Sequence, residues 1–306
     1  MNSKKANRLF LSVVILHFAL VALLIVGSPF FSLGILENLL ASQMILLIPA
    51  IVSLLGKKEK ITLSDLGFRK IKISTVFLTM LYTLLCLPLV TVVNAISMLF
   101  VDNTVVAISG EILQMPFGAM FLMMAVIGPF SEEFAFRGVL YHSYKKDGTI
   151  IGAIMLSSLA FSFIHMNFNQ AGYAFVIGIA LAFLVLATGS IWASVIMHCI
   201  INAQSVILMY VSEYLLPGGY EAEAAAVTQS GLLVTIGIYS VIAAVTTTLA
   251  ICLLIFIASR EGRLEELKSV LKKPEEPKKR VTPALVIGLI ITFGYMVLEV
   301  FAAKMI

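Results

Sequence analysis

The sequence predicts an all-α, polytopic transmembrane helix bundle of about eight or nine spans. Composition, the lengths of the apolar runs and the placement of basic residues carry that reading. Of 306 residues, 60% are hydrophobic and 12% charged, with a mean hydropathy of +1.04. A soluble domain is about 45–50% apolar and about 25% charged. A water-soluble globule of this size leaves roughly a quarter of its chain surface exposed and has nowhere to hide so much apolar area. A soluble enzyme, a disordered chain and a disulfide-rich secreted module are excluded. Nothing in the composition calls for a nucleic-acid partner, and the expected surroundings are a lipid bilayer.

A helix crosses the bilayer with about 20 apolar residues. Candidate spans fall at 9–28, 35–55, 74–100, 117–141, 150–167, 171–189, 191–214, 231–258 and 283–303. Residues 1–306 read as one integral membrane domain. The run from Leu9 to Val26 is too long for a typical signal-peptide core and reads as a retained first span. Residues 150–214 hold three spans with very short connections, which makes those helices antiparallel neighbours. Cys86, Cys199 and Cys252 are far apart in apolar runs and read as packing residues rather than a disulfide or metal framework.

The basic residues test the span count. Lys4, Lys5 and Arg8 precede span 1. Lys57, Lys58, Lys60, Arg69, Lys70 and Lys72 lie between spans 2 and 3. Lys145 and Lys146 follow span 4, and eight more lie between Arg260 and Arg280. With a cytoplasmic N-terminus, 19 of the 21 Lys and Arg share one side. The opposite loops carry Asp102, Glu111, Glu213, Glu221 and Glu223 and no basic residue. This is the positive-inside pattern of a multi-pass cell-membrane protein. Residues 259–281 form a cytoplasmic segment. Its Leu264, Leu267, Val270 and Leu271 share a helical face, which fits either an amphipathic helix on the inner leaflet or a solvated linker helix. Pro274 and Pro277 then mark a linker to the last span.

An ionisable side chain inside a span costs about 2.5–3.5 kcal/mol on insertion scales, so each one asks for a cavity or a partner. This chain has Glu132, Glu133 and Arg137 in span 4, His165 near the end of span 5, His198 with Asn202 in span 7, His17 in span 1 and Glu299 in span 9. Pro129 is expected to kink or break span 4, with Ser131 capping the restarted helix. Glu133 and Arg137 stand at i, i+4 in the favourable acid-first order, which leaves Glu132 to face a cavity. Taken alone, both glutamates serve equally as structural partners of Arg137. Phe161 and His165 share a face, as do His198 and Asn202. Each pair alone also reads as interhelical packing or hydrogen bonding. His17 and Glu299 are isolated and read as packing or snorkelling residues, and His142 as interfacial.

Depth joins these groups. At about 1.5 Å per residue from the cytoplasmic ends, Glu132 lies about 20 Å deep, His165 about 22 Å, His198 about 12 Å and Asn202 about 18 Å. Three helices thus bring polar groups into one internal band, a buried polar site expected to open toward the cytoplasm.

The ordered series E-E-x-x-x-R, F-x-x-x-H and H-x-x-x-N, on Glu132-Glu133…Arg137, Phe161…His165 and His198…Asn202, resembles the CPBP family. These are the CAAX proteases and bacteriocin-processing (Abi) membrane proteins, which include the Ras-converting CAAX endopeptidase. The matched core is roughly 115–207, and Leu66-Gly67-Phe68-Arg69 is similar to an upstream element of bacterial members. The resemblance implies an intramembrane endopeptidase acting on a membrane-associated peptide or protein. Glu132 would be the general base for water, assisted by His165. His198 and Asn202 would stabilise the oxyanion, and Glu133, Arg137 and Phe161 would support them. These residue types suit those roles, since carboxylate and imidazole accept a proton from water and imidazole and amide N–H groups stabilise an oxyanion.

Two histidines and a glutamate also make Glu132, His165 and His198 a possible Zn²⁺ set, and family names often say metalloprotease. The chain has no H-E-x-x-H, and a metal-free mechanism uses the same residues. CAAX-like processing, leader-peptide cleavage and bacteriocin-related roles all fit. So does a non-proteolytic immunity or scaffold protein on the same fold, or, third, a transporter with a proton-relay carboxylate. Oligomeric state is not encoded in any motif.

Overall fold

A computed structural model describes residues 1–55, 61–272 and 279–303. The lysines at 57–60, the prolines at 274 and 277 and residue 304 lie outside the described residues. Nine principal helices follow the apolar runs: α1 (Ser3–Gly27), α2 (Ile35–Leu54), α3 (Ile73–Met98), α4 (Phe117–Asp147), α5 (Ile150–Phe163), α6 (Phe168–Thr188), α7 (Ile191–Leu215), α8 (Gln229–Arg260) and α9 (Pro283–Ala303). Eight are long and apolar enough to cross a membrane, so the protein is an all-α, multi-pass membrane protein. The exception is α5, which has 14 residues and a length of about 21 Å. It stops at Phe163, so His165 sits in the turn beyond the helix rather than on the fifth span.

The bundle has a basic and an acidic end. At the basic end, Ser3 N–H donates to Asp147 Oδ2 at 2.6 Å, and Asn7 Nδ2 donates to the Arg280 carbonyl at 2.6 Å. Lys145 and Arg263 both pair with Glu266, and Arg263 Nε donates to the Leu186 carbonyl at 2.7 Å. Every segment expected on one side of the membrane that the structure describes therefore meets at one end. At the acidic end, Tyr210 Oη donates to the carbonyls of Ile112 and Met115 at 2.7 and 2.8 Å. In the segment after α8, only Leu264–Lys268 forms a short helix, followed by a 3₁₀ turn at Ser269–Leu271. Leu267 and Val270 pack against the bundle core, so part of the apolar face expected on a leaflet or in solvent covers protein instead.

Small residues let α5 and α6 approach closely. Gly178 on α6 lies against Ser158 on α5, where a Cβ would stand 3.0 Å from the serine Cβ. Membrane helices associate largely through such close backbone contact, because lipid supplies no hydrophobic drive between them. The same approach presents the Gly178 carbonyl to Arg137 Nη2 at 3.2 Å.

Before α3, Thr62 and Asp65 form a reciprocal capping box around the 3₁₀ turn Leu63–Leu66. The Thr62 N–H and hydroxyl donate to Asp65 and hold its carboxyl below the usual range. Gly67 follows with φ +84°, a left-handed conformation that disfavours a side chain. Its carbonyl accepts from Ile191 N–H at 2.8 Å, fixing the start of α7. A Cβ there would also stand 3.0 Å from His142 Cε1. Gly67→Ala is therefore expected to destabilise by about 1–2 kcal/mol, seen as a lowered unfolding midpoint in detergent.

Candidate active site

The glutamates lie on a stretch of α4 with an unusual backbone. Phe121–Ile127 and Phe134–Tyr141 wind as π-helix on either side of the α-helical Gly128–Glu133. The Gly128 N–H reaches back five residues to the Met123 carbonyl. This wider turn relieves the clash that a proline ring makes with the preceding turn, so Pro129 does not break the helix as the sequence suggests. Ser131 is not a cap either, because its hydroxyl donates to the Ile127 carbonyl at 2.7 Å. π-Helical turns are rare and are frequent at functional sites.

The two adjacent glutamates have separate surroundings. Glu133 is fully buried and pairs with Arg137 Nη1 at 3.0 Å, and Arg137 is fully buried too. Glu133 Oε1 also accepts from His198 Nδ1 at 3.0 Å. A carboxylate can only accept, so Nδ1 carries a proton and the Nε2 edge of His198 is turned elsewhere. That edge lies 3.7 Å from Glu132 Oε2. Glu132 keeps 18% side-chain exposure, and it lines a cavity of about 410 Å³.

Phe161 sits at the centre. The Arg137 guanidinium lies 4.3 Å from its ring centroid, and both imidazoles meet the ring edge to face, His165 at 5.0 Å and His198 at 5.6 Å. Phe161 thus spaces the two histidines and covers the buried ion pair. His165 Nδ1 lies 2.8 Å from the Phe161 carbonyl. The carbonyl accepts, so the proton is on Nδ1 and the Nε2 lone pair is free to take another. Asn202 donates one amide N–H to the Met124 carbonyl at 2.9 Å, which leaves its second N–H for a ligand.

The turn holding His165 is tightly specified. Met166, 4% exposed, adopts φ +55°, a conformation that costs a non-glycine residue about 1–2 kcal/mol. Asn167 caps α6 by accepting from Gln170 N–H at 2.7 Å and donates to the His165 carbonyl at 2.9 Å. Strain held by such bonds is common at functional sites.

The structure therefore brings Glu132, His165, His198 and Asn202 to one cavity, with Phe161 beside them on its wall and Glu133 and Arg137 behind. Asn94, Gln170 and Tyr173 also line it and were not singled out from sequence. Asn94, the one carboxamide in span 3, carried a readable signal. Gln170 and Tyr173 carried none, since they stand near a helix start where polar residues are ordinary. His17 and Glu299 do not line this cavity. Its far wall reaches Asn103 and Tyr220 at the acidic end, so it extends away from the side the depths suggested. Among the described residues, no three His, Cys, Asp or Glu side chains stand together closely enough to hold a metal ion. The Nδ1 bonds of His165 and His198 leave both Nε2 atoms available, but Glu132, His165 and His198 do not converge closely enough as placed to form the possible Zn²⁺ set.

Fold and site together define a multi-pass membrane protein with a Glu–His–His–Asn constellation around one cavity, and the resemblance to CPBP proteases holds over that core. Residues 114–204 match the family described as "Type II CAAX prenyl endopeptidase Rce1-like". The chain is also similar to the Bacillus subtilis (strain 168) protein named "Putative membrane peptidase YdiL", with 26% identity over 89 residues. That similarity covers 29% of this chain and 36% of the relative's length. No solved structure matches the chain.

Proposed function

We propose that the protein is an intramembrane endopeptidase that hydrolyses a peptide bond in a membrane-associated protein or peptide. The observation that carries this is the separation of Glu132 from Glu133. One carboxylate is spent on Arg137 and His198, while the other borders a cavity with room for water. In this reading Glu132 takes a proton from water, and His165 Nε2 assists by holding that water or sharing its proton. The hydroxyl oxygen attacks the scissile carbonyl carbon. His198 Nε2, when protonated, and the second Asn202 N–H bond to the developing oxyanion. Collapse of the tetrahedral species breaks the C–N bond, and Glu132 returns its proton to the leaving amine. Water has then been divided between a new carboxylate and a new amine, with no serine or cysteine nucleophile. Cys199 neighbours His198 in sequence but is not part of the cavity lining.

CAAX-like processing, leader-peptide cleavage and bacteriocin-related maturation remain the candidate tasks. Membrane peptides from cells carrying wild-type protein, compared by mass spectrometry with those from Glu132→Gln cells, test the reading and seek the substrate together. Peptides truncated only in wild-type cells support it, and identical peptide sets overturn it. Because the donors do not converge on one point, cleavage by the purified protein is expected to survive metal chelation. Loss on chelation with recovery on adding Zn²⁺ would show instead that Glu132, His165 and His198 rearrange around an ion.

A further inference from the structure

The cavity has a direction that the motifs do not carry. On the basic-end side of the site, α7 offers Ile191, Ala193 and Met197 and α4 offers Arg137 and Tyr141, all with no exposure. Phe68 lies against Phe130, Phe134 and Trp192 with ring centroids 6.3, 6.1 and 5.6 Å away. The carbonyl of Gly67 accepts from Ile191 N–H, and that of Arg69 accepts from the Ser190 hydroxyl, so this aromatic wedge is bonded to the start of α7. None of these residues lines the cavity, which does not continue toward the basic end.

In the other direction the walls continue. The same cavity is lined by the exposed Gln204 and Ser205 on α7, then by Asn103 and Tyr220. Met209, the last α7 residue on its wall, lies 11 residues beyond His198. That distance is about 16 Å along the helix, room for about five extended peptide residues. The end reached in this way carries Asp102, Glu111, Glu213, Glu221 and Glu223, whereas the closed end carries the Lys and Arg clusters. The positive-inside rule places the closed end in the cytoplasm.

We infer that the site is reached from the extracytoplasmic side, through a mouth at Asn103, Gln204 and Tyr220, and that it takes an extended, uncharged peptide segment. The inference rests on the protease reading for its substrate, but not for its route. Among the described lining residues, Glu132 is the one carboxylate and there is no lysine or arginine. A charged residue in the channel would find no partner above the site, and burying an unpaired charge is costly. The Gln204 amide lines the wall as an uncharged donor and acceptor, and Asn94, Asn103 and Gln170, whose side-chain oxygens already accept from Asn169, from Val105 and Val106, and from Asn167, keep amide N–H groups on it.

Cysteine accessibility tests the route without relying on activity. Cys86, Cys199 and Cys252 are replaced by alanine, and single cysteines are introduced as Gln204→Cys, Ser205→Cys or Ser64→Cys. A membrane-impermeant maleimide is applied to intact spheroplasts and to inverted vesicles. Gln204→Cys and Ser205→Cys are expected to label in spheroplasts, and Ser64→Cys only in inverted vesicles. Labelling of the two α7 positions only in inverted vesicles, in neither preparation, or together with Ser64→Cys in spheroplasts overturns the route. Size-exclusion elution as a single species qualifies each variant, and the second α7 position stands in if the first fails. An uncharged peptide added outside is expected to slow α7 labelling several-fold while a lysine-containing counterpart does not. Equal effects overturn the proposed selectivity. External labelling in a protein that yields no truncated peptides removes the protease reading and leaves the route. Internal labelling in a protein that cleaves does the reverse.

Discussion

If Glu132 is the proposed general base, Glu132→Gln is expected to lower the cleavage rate by about 10²–10⁴-fold, the usual worth of such a positioned group, while the unfolding midpoint stays close to wild type. The amide keeps the shape of the carboxylate but cannot accept a proton from water. Glu132 is part-exposed to the cavity with His198 Nε2 3.7 Å away, and the buried Arg137 keeps its direct partner Glu133. Its replacement therefore strands no buried cation. Single-turnover cleavage in detergent or vesicles, read beside thermal unfolding, checks both halves. A variant that keeps its rate would remove Glu132 from the role of base. The neighbouring substitution Glu133→Gln should instead lower stability as well as rate, since it unpairs Arg137 and releases His198.

The largest effect on stability is expected from Arg137→Met. Removing one partner of a buried ion pair costs about 3–5 kcal/mol, because the other charge is left without compensation. Here the loss strands Glu133 beneath Phe161 and also removes the donor to the Gly178 carbonyl. The double variant Arg137→Met with Glu133→Gln should recover a large part of that stability, because no uncompensated charge remains. Unfolding midpoints of the four proteins form the cycle that checks this. Additive losses would show that the two side chains do not act as a pair.

Much of the site was legible before any coordinates. Insertion into lipid is so costly for charge that the few polar residues in the spans had to be partners or cavity walls. The i, i+4 spacing then assigned Glu133 rather than Glu132 to Arg137. What the sequence withheld was backbone geometry and direction. Pro129 reads as a break under α-helical rules, and nothing in the residue pattern announces that the flanking turns widen to π. The apolar run of span 5 continues past Phe163, so the early stop of α5 follows from Asn167 capping α6 and from the φ of Met166 rather than from hydropathy. Depth arithmetic placed four residues in one band but pointed to the basic end as the open one, whereas the cavity runs toward the acidic end. That depended on Phe68, an ordinary loop phenylalanine until its ring is seen against Trp192.

The widened turns of α4 also bear on how this helix tolerates change in length. Each π segment accommodates more residues per turn than the ideal helix, and Glu132 lies in the short regular stretch between the two. A one-residue deletion within Phe121–Ile127 would let that segment relax to ordinary winding with the flanking residues nearly in phase, because a π turn holds about one residue more than an α turn. The Met124 carbonyl, which accepts from Asn202, lies within that segment and would be drawn back into the regular ladder. The helix would remain equally hydrophobic and equally able to insert. A lost residue here is therefore absorbed locally, at the expense of the contact to Asn202 rather than of the register of the whole helix.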